Sequence, residues 1–125
     1  MGNFELFMGY LGNGCTVCNK AVYEHGDYKT IAHISNAGNI KLYVKPDYIP
    51  ADAMKSIENT ARNHREKTIK YLDLELSSLQ GYSRILDRIC DYTPYSVWHN
   101  LFDDLKNLKQ SEKNELLKKI YLENF

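Results

Sequence analysis

The sequence has few cysteines and no excess of charge of either sign, and each absence excludes a class of protein. Its three cysteines are an odd set in a chain of 125 residues, which is long enough to bury a core without disulfides. Basic and acidic residues number 16 each, and residues 1–50, 51–92 and 93–125 carry four, seven and five of each sign. No segment has the basic excess that binds a phosphate backbone, so we expect no direct contact with nucleic acid.

The sequence also lacks membrane and catalytic signatures. No charged-then-apolar leader is visible, and no apolar run approaches the roughly 20 residues that span a bilayer. We therefore expect a cytoplasmic protein with reduced thiols and no membrane contact. Gly9, Gly12 and Gly14 match neither a P-loop nor a dinucleotide fingerprint, and the four histidines lie in no nucleophile motif. The sequence predicts a protein that is not an enzyme, with no catalytic residue and no cofactor.

The first 50 residues predict a small antiparallel sheet. The apolar run 4–11 ends in a glycine-rich turn and predicts a strand, whereas residues 15–27 predict a loop or a short helical turn. A hairpin follows over 29–45, and a three-residue loop with Gly38 in the left-handed region spares Ala37 a positive φ. In that register Ala32 and Ile34 face the core, and the partners on their face are Ile40, Leu42 and Val44.

Residues 51–91 predict a long amphipathic helix, because apolar side chains recur near helical spacing. These positions are Met54, Ile57, Ala61, Thr68, Leu72, Leu79, Leu86 and Cys90. The stripe keeps its phase across Gly81, which favours one helix, but Ser83 could cap a second one. A single helix would be about 60 Å long and would need a partner for its overhang, so continuity predicts a homodimer and a break predicts a monomer.

The C-terminal third predicts two further helices. Thr93 and Pro94 are typical of an N-cap and a first helical position, and Ser111 restarts the pattern. The expected apolar face comprises Val97, Trp98, Leu101, Phe102, Leu105 and Leu108. The predicted fold is α+β, with a sheet made of the N-terminal strand and the 29–45 hairpin, packed on the long amphipathic helix and the C-terminal helices. Residues 1–125 form one domain, β-rich over 1–50 and helical over 51–125.

Two motifs could hold a ligand. Cys15-x-x-Cys18 followed by His25 offers three zinc ligands, but the fourth ligand is missing, so this half-motif predicts a metal only weakly. A small zinc-stabilised nucleic-acid module is the alternative function that it suggests. The basic segment 62–67 is interrupted by acidic residues at i,i+4 spacing, which is typical of a solvent-exposed helix face.

Ten tyrosines remain to be explained, and aromatic side chains are enriched where proteins bind each other. In the predicted register His33 lies on the outer face of the hairpin, near Lys41 and Tyr43. An edge strand there would also offer unpaired backbone groups to a partner. These three residues are the predicted partner-binding site.

The block GYLGNG (9–14), followed by GDYKTIAHIS (26–35), resembles small uncharacterised phage and mobile-element proteins of low-GC bacteria. The resemblance covers about the first third of the chain and carries no active site. It implies an inhibitor of a bacterial defence system, of the anti-CRISPR type, that acts by direct contact with a host protein. We therefore expect a non-enzymatic binding protein.

Overall fold

The computed structural model describes residues 6–11, 13–24 and 27–125, and only the backbone for residues 11, 20–24, 27 and 28. The strands are β1 (Leu6–Leu11), β2 (Gly14–Glu24), β3 (Asp27–Ser35) and β4 (Ile40–Leu42). A 3-10 turn at Pro46–Tyr48 leads into the helices, which are α1 (Ala51–Glu75), α2 (Leu79–Tyr92), α3 (Tyr95–Trp98), α4 (Leu101–Leu105) and α5 (Gln110–Asn124). The predicted α+β class and its long helix are confirmed.

The chain divides into two compact units. The first unit runs to Glu66 and includes Phe125, and the second unit is Lys67–Asn124. Helix α1 begins in the first unit and ends in the second. The assignment of residues 1–125 to one domain stays a prediction.

The sheet of the first unit is antiparallel with the order β1-β2-β3-β4. The prediction of a loop or short helical turn over 15–27 is wrong, because β2 occupies most of that segment and pairs with a strand on each side. Neighbouring strands supply the backbone hydrogen bonds of a central strand, so it forms although its glycine, asparagine and lysine are weak strand signals.

The predicted hairpin register is confirmed. Ala32 pairs with Leu42 and Ile34 with Ile40, and the Ser35 amide donates to the Asn39 carbonyl at 2.9 Å. The loop therefore has three residues, and Gly38 has a φ of +82°.

A β-bulge in β3 places two consecutive side chains in the core. Val17 pairs with Ala32 and Cys18 with Thr30, so Ile31 is an extra residue on β3. Ile31 and Ala32 are both buried, which simple alternation does not allow. The core of the first unit comprises Cys15, Val17, Ile31, Ala32, Ile34, Ile49, Ala53, Ile57 and Ala61.

The predicted 51–91 helix is interrupted within the second unit. Helix α1 ends at Glu75, and the Ser78 hydroxyl accepts a hydrogen bond from the Gly81 amide at 3.0 Å, so Ser78 caps α2 in place of Ser83. Leu79 therefore leaves the predicted apolar stripe and is exposed, whereas Ile85 and Ile89 of α2 are fully buried. The argument for a homodimer lost its premise, since it required an uninterrupted helix.

The region after α2 also differs from the prediction. Thr93 is the C-cap of α2, and the expected single helix over 94–108 is two short helices, α3 and α4. Leu101 and Leu105 are buried as expected, but Phe102 is 53% exposed. A run this short buries only the side chains that return to the same side after one turn.

Helix α5 closes the second unit and confirms the helix predicted near Ser111. Its Asn114 amide donates to the Leu76 carbonyl at 3.0 Å, and Lys118 pairs with Asp73 at 2.9 Å. The rings of Tyr71 and Tyr121 lie 6.4 Å apart. Within the described residues, no helix combines the length and the apolar content needed to cross a bilayer.

Candidate functional site

Strand β2 separates the two faces of the sheet by the burial of its side chains. Cys15, Val17 and Asn19 are buried, whereas Thr16 and Cys18 between them are only partly buried. Pairing extends this second face across all four strands. We call it the outer face, and its residues are Phe7, Thr16, Cys18, Thr30, His33, Lys41 and Tyr43.

The predicted partner-binding residues meet on the outer face. His33 pairs with Thr16 on one side and with Lys41 on the other. The Lys41 ammonium lies 5.2 Å from the centroid of the Tyr43 ring, within the range of a cation–π interaction. The Tyr43 side chain is 52% exposed although it makes this contact. The structure thus brings His33, Lys41 and Tyr43 together, as the hairpin register predicted.

Sequence reasoning missed the opposite end of the outer face. Phe7 of β1 pairs with Cys18 and is 44% exposed. The sequence did not reveal that Phe7 faces outward, because 4–11 is apolar at most positions. If β2 had been recognised as a strand, the alternation of its side chains would have shown which residues of β1 share each face.

The ionisable groups of the outer face give it a basic character. Among the seven named residues Lys41 is the one lysine or arginine, His33 lies beside it, and none is acidic. The Cys18 sulfur lies 3.8 Å from the Thr30 hydroxyl oxygen. The face therefore offers two aromatic rings, one ammonium group and a polar centre.

Two of the three predicted zinc ligands, Cys15 and Cys18, are not brought together. Cys15 and Cys18 are three residues apart on a strand, which places their side chains on opposite faces of the sheet. Burial raises the pKa of the Cys15 thiol, which disfavours the thiolate that zinc requires. His25 lies outside the described residues. Throughout the described part of the chain, no three His, Cys, Asp or Glu side chains are grouped as ligands of one metal ion would be.

Side chains of the basic segment 62–67 form hydrogen bonds with the hairpin loop. The Arg65 guanidinium donates to the Ala37 carbonyl and to the Asn39 side-chain oxygen, both at 3.0 Å. His64 donates from Nδ1 to the Ser35 carbonyl at 3.0 Å. Arg62 is exposed and bonds to Asn59 on its own helix. The segment is thus partly a solvent-exposed face, as predicted, and partly a structural anchor that the sequence did not reveal.

Comparisons of this chain with protein-family models, with curated proteins and with solved structures find no match.

Proposed function

We propose that this chain is a non-enzymatic binding protein that acts in the cytoplasm of a bacterial host by covering a surface of a host protein. The observation that carries the proposal is the outer face, which presents to solvent Phe7 on β1 and Tyr43, the residue directly after β4, at the two outermost strands. Three strand spacings of about 4.8 Å separate these strands by about 14 Å. Two aromatic anchors flanking a polar centre are typical of surfaces on which a few residues supply most of the binding energy.

The charge of the outer face restricts which partner surfaces are complementary to it. Lys41 has no carboxylate beside it among the residues of that face, so an acidic or neutral protein surface is the complement. Its ammonium already contacts Tyr43, which keeps the ring in place before binding. A partly pre-organised anchor of this kind loses less side-chain freedom on association.

The resemblance of segments 9–14 and 26–35 to phage and mobile-element proteins supports a target within a bacterial defence system, including a CRISPR effector. Inhibition of this kind needs only that the bound protein block a working surface of the target. It agrees with a sequence that carries no catalytic motif.

Affinity capture from a bacterial host lysate tests the proposal. We expect the wild-type chain to retain a specific protein and the Phe7→Ser/Tyr43→Ser variant to lose it. Tyr48→Ser is the matched control, because Tyr48 is 71% exposed in the same unit but lies in the 3-10 turn after the sheet. A photo-crosslinking residue at position 43 should join the chain to its partner, and one at position 48 should not. Equal retention by the wild-type chain and both variants, or no retained protein, contradicts the proposal.

A plaque assay tests the target class. Expression of the wild-type chain should raise the plating efficiency of a phage on a host with an active defence system, and Phe7→Ser/Tyr43→Ser should abolish the rise. The same expression in a host without that system is the control and should change nothing. A specific partner outside any defence system would leave the binding function standing and overturn the anti-defence role.

A further inference from the structure

The second unit has an exposed aromatic patch that the sheet does not share. Its rings belong to α3, to the residue after it and to α4, and they are Tyr95, Trp98, His99 and Phe102. The Tyr95 and Trp98 rings meet edge to face with centroids 5.1 Å apart, and the Trp98 and Phe102 rings do so at 6.5 Å. Tyr95 is 68% exposed and Phe102 is 53% exposed. The rings therefore support one another while a large part of their surface stays open to water.

The His99 ring is held beside these rings. Its Nδ1 lies 3.2 Å from the Tyr95 carbonyl oxygen and 3.1 Å from the Ser96 carbonyl oxygen, so this nitrogen donates. Its ring centroid lies 5.3 Å from that of Tyr95.

Carboxylates outnumber basic groups around the aromatic patch. Residues 89–106 contain three carboxylates, at Asp91, Asp103 and Asp104, and one basic residue, Lys106, which follows α4. Asp103 and Asp104 follow Phe102 directly on α4 and are exposed. Within the described residues neither forms an ion pair, and no lysine or arginine lies over the rings of Tyr95, Trp98 or Phe102.

We propose that this aromatic patch binds an arginine-bearing segment of another protein. A guanidinium group stacks on aromatic faces and also forms paired hydrogen bonds with a carboxylate, so a ring cluster whose last ring, Phe102, is followed on α4 by Asp103 and Asp104 offers groups for both of its binding modes. The carboxylates would repel an anionic lipid surface, whose aromatic-rich partners carry lysine and arginine. They would equally repel single-stranded nucleic acid, because its stacking platforms are set in a positive groove. This proposal is independent of the sheet and of the function proposed for it.

The single tryptophan of the chain is Trp98, so its fluorescence reports directly on the aromatic patch. The probes are octa-arginine, octa-lysine of equal charge and octa-glutamate. We expect octa-arginine to change Trp98 emission saturably, with an affinity at least threefold higher than that of octa-lysine, and octa-glutamate to have no effect. Added salt should weaken the arginine response, since the contact is largely electrostatic.

Variants test whether octa-arginine binds to the aromatic patch itself or is only attracted to acidic groups anywhere on the protein. Asp103→Asn/Asp104→Asn should weaken octa-arginine binding about three- to tenfold, and Tyr95→Ser/Phe102→Ser should weaken it about tenfold. Glu115→Gln and Leu79→Ser are the matched controls in the same unit, because both positions are exposed and lie on other helices. Circular dichroism of each variant checks that it folds.

Several results overturn the proposal. These are an unchanged Trp98 emission with octa-arginine, equal affinity for octa-lysine, or an equal loss of affinity in the control variants. A Trp98 response to phosphatidylserine vesicles or to an oligonucleotide in preference to octa-arginine would assign the aromatic patch to another class of ligand. A response to protein concentration alone, with a matching increase in sedimentation rate, would assign it to a second copy of the chain.

Discussion

Each compact unit contains a tight reversal of the chain built around a glycine, and the two reversals differ in what holds them. In the first unit Gly38 lies so close to α1 that an added Cβ would overlap the Ala61 carbonyl oxygen. In the second unit an added Cβ on Gly81 would overlap the Glu75 carbonyl oxygen. Both reversals bring one backbone against another, and only glycine leaves the space for that approach.

An arginine spans each reversal, but in a different environment. Arg65 is partly buried and donates to the Ala37 carbonyl and to Asn39. Arg84 pairs with Glu75 at 2.8 Å, with 60% of its side chain exposed. The comparison teaches that backbone clearance makes glycine necessary in both places, whereas solvent exposure decides how much each arginine contributes.

The largest effect is expected at the two glycines. Gly38→Ala and Gly81→Ala should each lower the free energy of unfolding by about 3 kcal/mol, because the new methyl group meets backbone that cannot move alone. Urea denaturation followed by circular dichroism measures the change. Gly9→Ala is the matched control, since its added carbon would lie 4.0 Å from the Phe7 ring, at ordinary contact distance. Equal midpoints for Gly81→Ala and Gly9→Ala would show that the close approach at α2 carries no energetic weight.

A smaller effect should separate the two arginines. Arg65→Ala should lower the free energy of unfolding by about 1–3 kcal/mol, because two hydrogen bonds to a charged donor are lost at a partly buried site. Arg84→Ala should leave the urea midpoint nearly unchanged, since solvent and salt screen an exposed pair.

Arg62→Ala controls for the loss of an arginine from α1, as its side chain bonds only within its own helix turn. Arg65→Lys should resemble Arg65→Ala, because an ammonium group cannot reproduce the planar fork that reaches both acceptors. A destabilisation by Arg84→Ala as large as that of Arg65→Ala would remove the difference between the two reversals.

The smallest effect is expected at alkaline pH, where the described part of each unit contains a buried titrating group. Burial raises the pKa of the Cys15 thiol in the first unit and, as the largest cause, the pKa of the Tyr121 phenol in the second. Folding then favours the protonated forms. Stability is therefore complete below the unfolded-state values, about 8.5 for cysteine and about 10 for tyrosine, and falls as the pH rises through the folded-state pKa.

Urea midpoints between pH 7 and pH 11 measure this loss. Cys15→Ala should reduce the part that begins near pH 8.5, to which Cys90 also contributes, because burial raises its pKa too. Tyr121→Phe should reduce the part that begins near pH 10, to which Tyr82 contributes for the same reason. Cys18→Ala is the control for the thiol, because Cys18 lies on the outer face and is only partly buried. A rise in stability with pH over this range would contradict the assignment of burial as the cause.

Local rules predicted the elements whose signals are local. The hairpin loop could be located because a three-residue turn needs a left-handed residue and Gly38 supplies it. The outer position of His33, Lys41 and Tyr43 followed from that register, since alternate residues of a strand point to opposite faces. Strand β2 could not be predicted in this way, because its stability comes from pairing on both sides, and weak strand formers such as Asn19 and Lys20 interrupt its strand-forming Thr16, Val17 and Val22.

Two other predictions were wrong because they too depend on tertiary structure. The phase of the apolar stripe favoured a continuous helix across Gly81, and the sequence does not show that the Glu75 carbonyl lies against that glycine. Phe102 belongs to an apolar face in a regular helix, yet α4 is only one turn long and leaves the ring exposed.

By itself the sequence determined the α+β class, the register of the hairpin and the balance of basic and acidic residues in each third of the chain, because each depends on neighbouring residues or on composition. Only the tertiary structure decided which aromatic rings face water, that Cys15 and Cys18 lie on opposite faces of the sheet, and that α1 ends at Glu75. Burial and backbone clearance depend on segments distant in the chain, and no local pattern encodes the distance between them.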